Sequence, residues 1–177
     1  MSFEDQPEKV VFPNIAAQIK EMIAADQEMR ERQLVEEDFW DDELDARNTA
    51  LMKEIVMEIG WPTASKVGKQ IAHDAWLLVQ HADHDIEFQE YCLGLMKSEL
   101  PHEVEKNDIA FLEDRIRVNQ GRGQFSGTQF TQIDGKHIPR PIEDEQNVDA
   151  RRAEMGMGTL EERIAEMYRK YPFTNKK

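Results

Sequence analysis

The chain has one cysteine in 177 residues, Cys92, so no disulfide can form within it and nothing in its composition asks for an oxidising compartment. It also lacks an uninterrupted apolar run of about 18 residues, the length that a membrane-spanning helix needs. The first ten residues are acidic and broken by Pro7, without the basic region and apolar core of a secretory signal. Cations are scarce: 22 Lys and Arg stand against 36 Asp and Glu, for a formal charge of −14. Binding to a phosphate backbone relies on clustered cations, so nucleic acid is not an expected partner. These absences together predict a cytoplasmic protein with neither a membrane nor a nucleic-acid partner. A basic protein or a polar small molecule stays open as a partner, and oligomeric state is open too.

What is present is helical periodicity. One domain, 1–177, is expected at this length, with 1–12 as an N-terminal tail. Ile15, Ile19, Met22, Ile23, Met29 and Leu34 recur at helical spacings and predict a first helix near 14–36. The acidic run Glu36 to Glu43 reads as a connector and the first turn of a second helix, where negative charge suits the helix dipole. That helix runs to Ile59 and is stopped by Gly60, after which Trp61-Pro62 turns the chain and Thr63 or Ser65 can cap the next segment. Residues 67–97 would make a helix ~45 Å long if continuous, so this span is either the central element or an interrupted one. Ile109, Leu112, Ile116 and Val118 predict a further helix, stopped at Gly121-Arg122-Gly123. The period then changes, and Phe130–Ile133, Asp134-Gly135 and Lys136–Ile138 read as a hairpin. Two short helices follow, near 148–155 and after the capping-box pattern Thr159-Leu160-Glu161-Glu162. The expected fold is mainly α: a compact helical domain around a long central helix at about 67–97, with a small β-hairpin at about 124–139 and a C-terminal helical extension, 142–177, docked on the core.

The polar stretch Gln80-His81-Ala82-Asp83-His84-Asp85 directly follows the apolar run Ala75–Val79. A buried polar group left unpaired costs roughly 1–3 kcal/mol, so His81 and its neighbours belong to a hydrogen-bonded network or line a pocket. At about 100° per residue His81 and Asp85 share one side of a helix, whereas Asp83 points about 160° away from His81. Asp85 can therefore accept a hydrogen bond from His81 and fix its tautomer, the first requirement for an oriented general base and equally a structural arrangement. The same spacing offers two metal ligands but no recognisable third, so no metal and no cofactor is expected. Cys92 lies ~16 Å along the helix from His81, too far for a nucleophile pair. In the loop Gly121–Gln129 no phosphate-binding motif is present. Gln124, Thr128 and Gln129 can read a polar ligand or bond the loop to the core, and Arg115 can clamp a carboxylate or serve as a solvated face.

Read in order, Gly60-Trp61-Pro62-Thr63, Ser65, Val67-Gly68, Ala75–Asp83, Phe88-Gln89, Asp114-Arg115, Gln124, Gly127-Thr128-Gln129, Pro141–Asp144, Val148-Asp149 and Arg151-Arg152 resemble a bacterial family of domains of unknown function. The resemblance covers about 45–155, leaving out the first helix and His84. It implies no activity. By position it points to Trp61, Gln80, His81, Asp83, Asp85, Gln89, Arg115, Gln124, Thr128, Gln129, Arg151 and Arg152.

Two readings follow. In one, the protein is a small-molecule hydrolase in which His81 is general acid or base and Asp85 or Asp83 orients it. Gln80, Gln89, Arg115, Gln124, Thr128, Gln129, Trp61 and Arg152 then contact the ligand, the loop Gly127-Thr128-Gln129 completing the pocket. In the other, it is a non-catalytic helical binding module with a structural His-Asp pair.

Overall fold

Gly68 separates two helices that follow one another directly, and its backbone shows why a glycine stands there. Its φ of +90° lies in the left-handed region that other L-residues avoid, between the one-turn helix α3 (Ala64–Val67) and α4 (Lys69–Gln80). The structure, a computed structural model, describes residues 10–36 and 41–171. The expected tail at 1–12 falls mostly outside these residues, as do 37–40 of the acidic connector, 172–177, and the side chain of Leu34.

The chain divides into two compact units, 1–105 and 106–177, so the segment 142–177 falls in the second unit together with the hairpin. The first unit contains α1 (Pro13–Val35), α2 (Asp42–Ile59), α3, α4 and α5 (Ile86–Ser98). Helix α1 packs on α2, α3 and α4, and α4 also packs on α2, α3 and α5. The periodic residues Ile19, Met22, Met52, Ile55, Val56, Trp61, Val67, Leu78, Val79 and Met96 are buried here. Removing such side chains from water stabilises the unit by roughly 1.5–3 kcal/mol each.

The span 67–97 is not one helix. Helix α4 ends at Gln80, with the His81 amide still donating to the Leu77 carbonyl, and the chain turns through Ala82, Asp83 and His84. Asp85 then starts α5, its side chain accepting from the Phe88 amide at 3.1 Å. Aspartate is among the best residues for this capping position, and its carboxylate holds an amide that the first turn of a helix leaves without a partner.

In the second unit α6 (Lys106–Asn119) leads to the loop 120–129 and to a two-stranded antiparallel sheet, β1 (Phe130–Ile133) and β2 (Lys136–Pro139), with Thr131 opposite Ile138. A 3-10 turn (Glu145–Asn147), α7 (Val148–Glu154) and α8 (Leu160–Lys170) complete it. Thr159 and Glu162 form the expected capping box, and α8 packs on α7 and β2. Among the described residues no helix is long and apolar enough to cross a membrane.

Candidate functional site

Breaking the helix at His81 removes the geometry on which a His81–Asp85 pair depends. Asp85 is taken by the Phe88 amide and by Lys53, whose Nζ lies 2.5 Å from its Oδ2. The Lys53 hydrogen bond, partly opposed by burial, holds the Asp85 carboxyl below its ordinary range. Asp83, at the exposed joint, accepts a hydrogen bond from Gln89 Nε2 at 3.4 Å. Neither carboxylate is the partner of His81.

That partner is Asp26, from α1. His81 Nδ1 lies 2.9 and 3.1 Å from the two Asp26 carboxylate oxygens. Because a carboxylate only accepts, Nδ1 carries the proton, which selects the tautomer whose lone pair is on Nε2. Among the described residues nothing bonds Nε2, and the imidazole is 17% exposed while Asp26 is 1% exposed. Asp26 also accepts from Arg30 Nε, one helical turn on, and Arg30 Nη2 reaches Asp45 of α2 at 3.2 Å. A chain of hydrogen bonds therefore runs from His81 through Asp26 and Arg30 to Asp45, linking the end of α4 to α1 and α2.

The two aspartates are pushed in opposite directions. Burial raises the Asp26 carboxyl, but the hydrogen bonds and charges of His81 and then Arg30 outweigh it and leave Asp26 below its ordinary value. For Asp45 burial wins: it is raised despite the Arg30 cation, and the Asp26 anion adds to the rise. Asp26 is thus the fixed anion that orients the imidazole.

Around the break the side-chain amides are buried. Gln89 donates from Nε2 to the Val79 and Gln80 carbonyls at 3.1 and 3.3 Å, tying α5 to the end of α4. Among the described residues its Oε1 meets no hydrogen-bond partner, nor does the buried Oε1 of Gln80 or the Nδ2 of Asn48 on α2. Trp61 is buried, and its carbonyl accepts from Lys66. Cys92 is buried too, and burial pushes its thiol up to about 12, which disfavours the nucleophilic thiolate.

The remaining sequence-selected residues lie in the second unit and are organised around Asp114. This fully buried carboxylate accepts from the amides of Phe125, Ser126 and Thr128 at 2.6, 3.0 and 3.0 Å, and from the Thr128 hydroxyl at 3.0 Å. Gln124 bridges the loop to the sheet, donating to the Gln129 and Arg140 carbonyls and accepting from the Gln129 amide. Arg152 donates to the Ser126 and Gly158 carbonyls, and its burial and the nearby Arg163 charge lower its pKa. Arg151 donates to the Phe125 carbonyl, and Arg115 Nη1 meets Gln129 Oε1 at 3.3 Å. Gly127, at φ +65°, leaves no room for a side chain: an added Cβ would lie 2.7 Å from Leu160 Cδ1.

Asp26, Arg30 and Asp45 were not anticipated as site residues. The signal was present: Asp26 follows Ile19, Met22 and Ile23 at helical spacing, which places a carboxylate in the apolar stripe of α1. Such a residue needs a buried partner. Among the described residues no cluster of three or more His, Cys, Asp and Glu side chains is arranged to hold a metal ion. No curated protein and no solved structure matches the chain. A family match spans residues 13–176, which includes α1 and so reaches well beyond the expected 45–155; it is to a family of unknown function, DUF6624.

Proposed function

We propose, from the premise that the chain belongs to the DUF6624 family of unknown function, that the His81 site hydrolyses a polar small molecule. The observation that carries this reading is the buried Asp26 carboxylate on His81 Nδ1 combined with an unengaged Nε2. In this scheme Nε2 takes a proton from water as the water oxygen bonds to an acyl carbon. The charge of Asp26 stabilises the imidazolium so formed, and the same proton passes from Nε2 to the leaving group as its bond to carbon breaks. Asp26 takes the orienting role first assigned to Asp85 or Asp83. Gln124, Thr128 and Arg152 shape the Asp114 loop within the second unit.

The test is turnover of a panel of esters and carboxamides by the full chain and by His81→Gln and Asp26→Asn. Loss of a general base lowers kcat by about 100-fold or more. Turnover by the wild type that His81→Gln leaves unchanged would refute the assignment, as would no turnover of any member.

One observation favours a second reading, a non-catalytic module for a basic protein partner. The Asp26 bonds join α1 to α4 through His81 and to α2 through Arg30, so the dyad also serves as a clasp. If His81→Gln lowers stability alone and the panel stays untouched, this reading replaces the first.

A further inference from the structure

Among the described residues, three buried amide atoms of the first unit without partners lie on α2, α4 and α5, elements joined through the packing of α4. Gln80 ends α4 beside His81, Gln89 lies on α5 within hydrogen-bond reach of the Gln80 carbonyl, and Asn48 lies on α2. Asn48 follows Asp45 by three residues and so shares its side of that helix. Asp45 in turn is joined to His81 through Arg30 and Asp26. Helix α4, which bears Gln80, packs on both α2 and α5. Each orphaned atom costs roughly 1–3 kcal/mol unless something supplies its bond.

The sense of the Gln89 amide is fixed. Its Nε2 faces two carbonyl oxygens and the Asp83 carboxylate, all acceptors, so the orphaned end is the oxygen and requires a donor. Gln80 and Asn48 have no such constraint, and each can offer either end of its amide. The charges near the joint argue against an anion. Arg30 bonds Asp26 and Asp45, Lys53 bonds Asp85, and Asp83 is exposed beside His84. A group that carries both N–H donors and a carbonyl acceptor answers all three atoms.

Resting on the hydrolytic reading above, we infer that the His81 site takes a carboxamide, or a ureido group of the same hydrogen-bonding pattern, held by Gln89, Gln80 and Asn48. Its N–H donates to Gln89 Oε1, and its carbonyl accepts from the amide of Asn48 or Gln80. Hydrolysis would then add water across the C–N bond, giving a carboxylic acid and ammonia from a primary amide.

The test uses the full 15N-labelled chain and four probes: acetamide, urea, acetate and guanidinium. Acetamide and urea are expected to shift the Gln89 side-chain N–H signals saturably, and acetate and guanidinium are not. Gln89→Met is expected to weaken acetamide binding about tenfold, the loss of roughly one hydrogen bond. Gln80→Met supplies a second variant should Gln89→Met fail to fold, with the same expected loss. The inference fails if no probe saturates, if acetate or guanidinium binds as well as acetamide, or if a bound water alone occupies Gln89 Oε1. Ammonia release from carboxamides that is indifferent to Gln89 and Gln80 would overturn this inference and leave the hydrolytic reading standing. Acetamide binding that depends on Gln89, in a protein that turns nothing over, would do the reverse.

Discussion

Replacing Asp26 by asparagine removes one charge and almost no volume, so its effect isolates the electrostatic contribution of the buried carboxylate. Asp26 accepts from His81 Nδ1 at 2.9 Å, from Arg30 Nε at 3.1 Å and from Gln27 Nε2 at 2.9 Å. Hydrogen bonds to a charged group contribute about 1.5–3 kcal/mol each, but asparagine keeps one acceptor and avoids the cost of burying the anion. The net loss is therefore about 2–3 kcal/mol at neutral pH. Because the folded state holds the Asp26 carboxyl below its ordinary value, the stabilisation is complete above the unfolded value of about 3.9 and is lost as pH falls through the folded value. The gap between wild type and Asp26→Asn should accordingly be wide at pH 7 and close as the pH drops below that range. The buried Trp61 and Trp76 both lie in the first unit, so urea unfolding followed by tryptophan fluorescence reports on that unit. A shift of the midpoint by about 1–2 M is expected at pH 7. An equal gap at pH 7 and at pH 3, or no gap at either, would refute the assignment of Asp26 as the anion that holds His81.

Two further outcomes follow from burial. Asp114→Asn leaves the amides of Phe125, Ser126 and Thr128 with a weaker acceptor or none, so the second unit should lose about 3 kcal/mol and the Ser126 and Thr128 amides should exchange with solvent far faster. Retained protection of those amides would contradict the role given to Asp114. The Cys92 thiol, buried and pushed up to about 12, should resist a thiol reagent at pH 8 in the folded protein and react at once in urea; rapid reaction without urea would show that α5 opens.

Much of the architecture was legible because the local signals agreed with one another. The stripe of α1, the Gly60 stop, the Asp134-Gly135 turn and the Thr159 capping box each combine a periodic pattern with the residue that the terminus requires. The long helix over 67–97 failed for a reason visible in hindsight. Helical phase alone put His81 beside Asp85, while the preference of aspartate for a helix start, followed by Glu87 in the first turn, argued for a new helix at that point. When the two signals conflicted, capping decided. The site was half legible: His81 stood out because it stands in a polar stretch behind an apolar run, and Asp26 was missed because it reads as the start of an ordinary polar run, Asp26-Gln27-Glu28. Its partner lies 55 residues away, a separation that no local pattern bridges. Asp114 was hidden in the same way, as one acid among many in a chain with 36 of them.

The loop around Asp114 has a practical consequence for anyone who wishes to move it. Residues 121–129 take their shape from a carboxylate on the preceding helix, which acts as a mould for three backbone amides. Cut out and grafted onto another scaffold, the loop would leave its template behind. The transferable piece is α6 and its loop together with the α7 arginines that bond its carbonyls, and a library that randomises Phe125 and Ser126 while holding Asp114, Gln124, Gly127 and Thr128 would sample new side chains with the template kept.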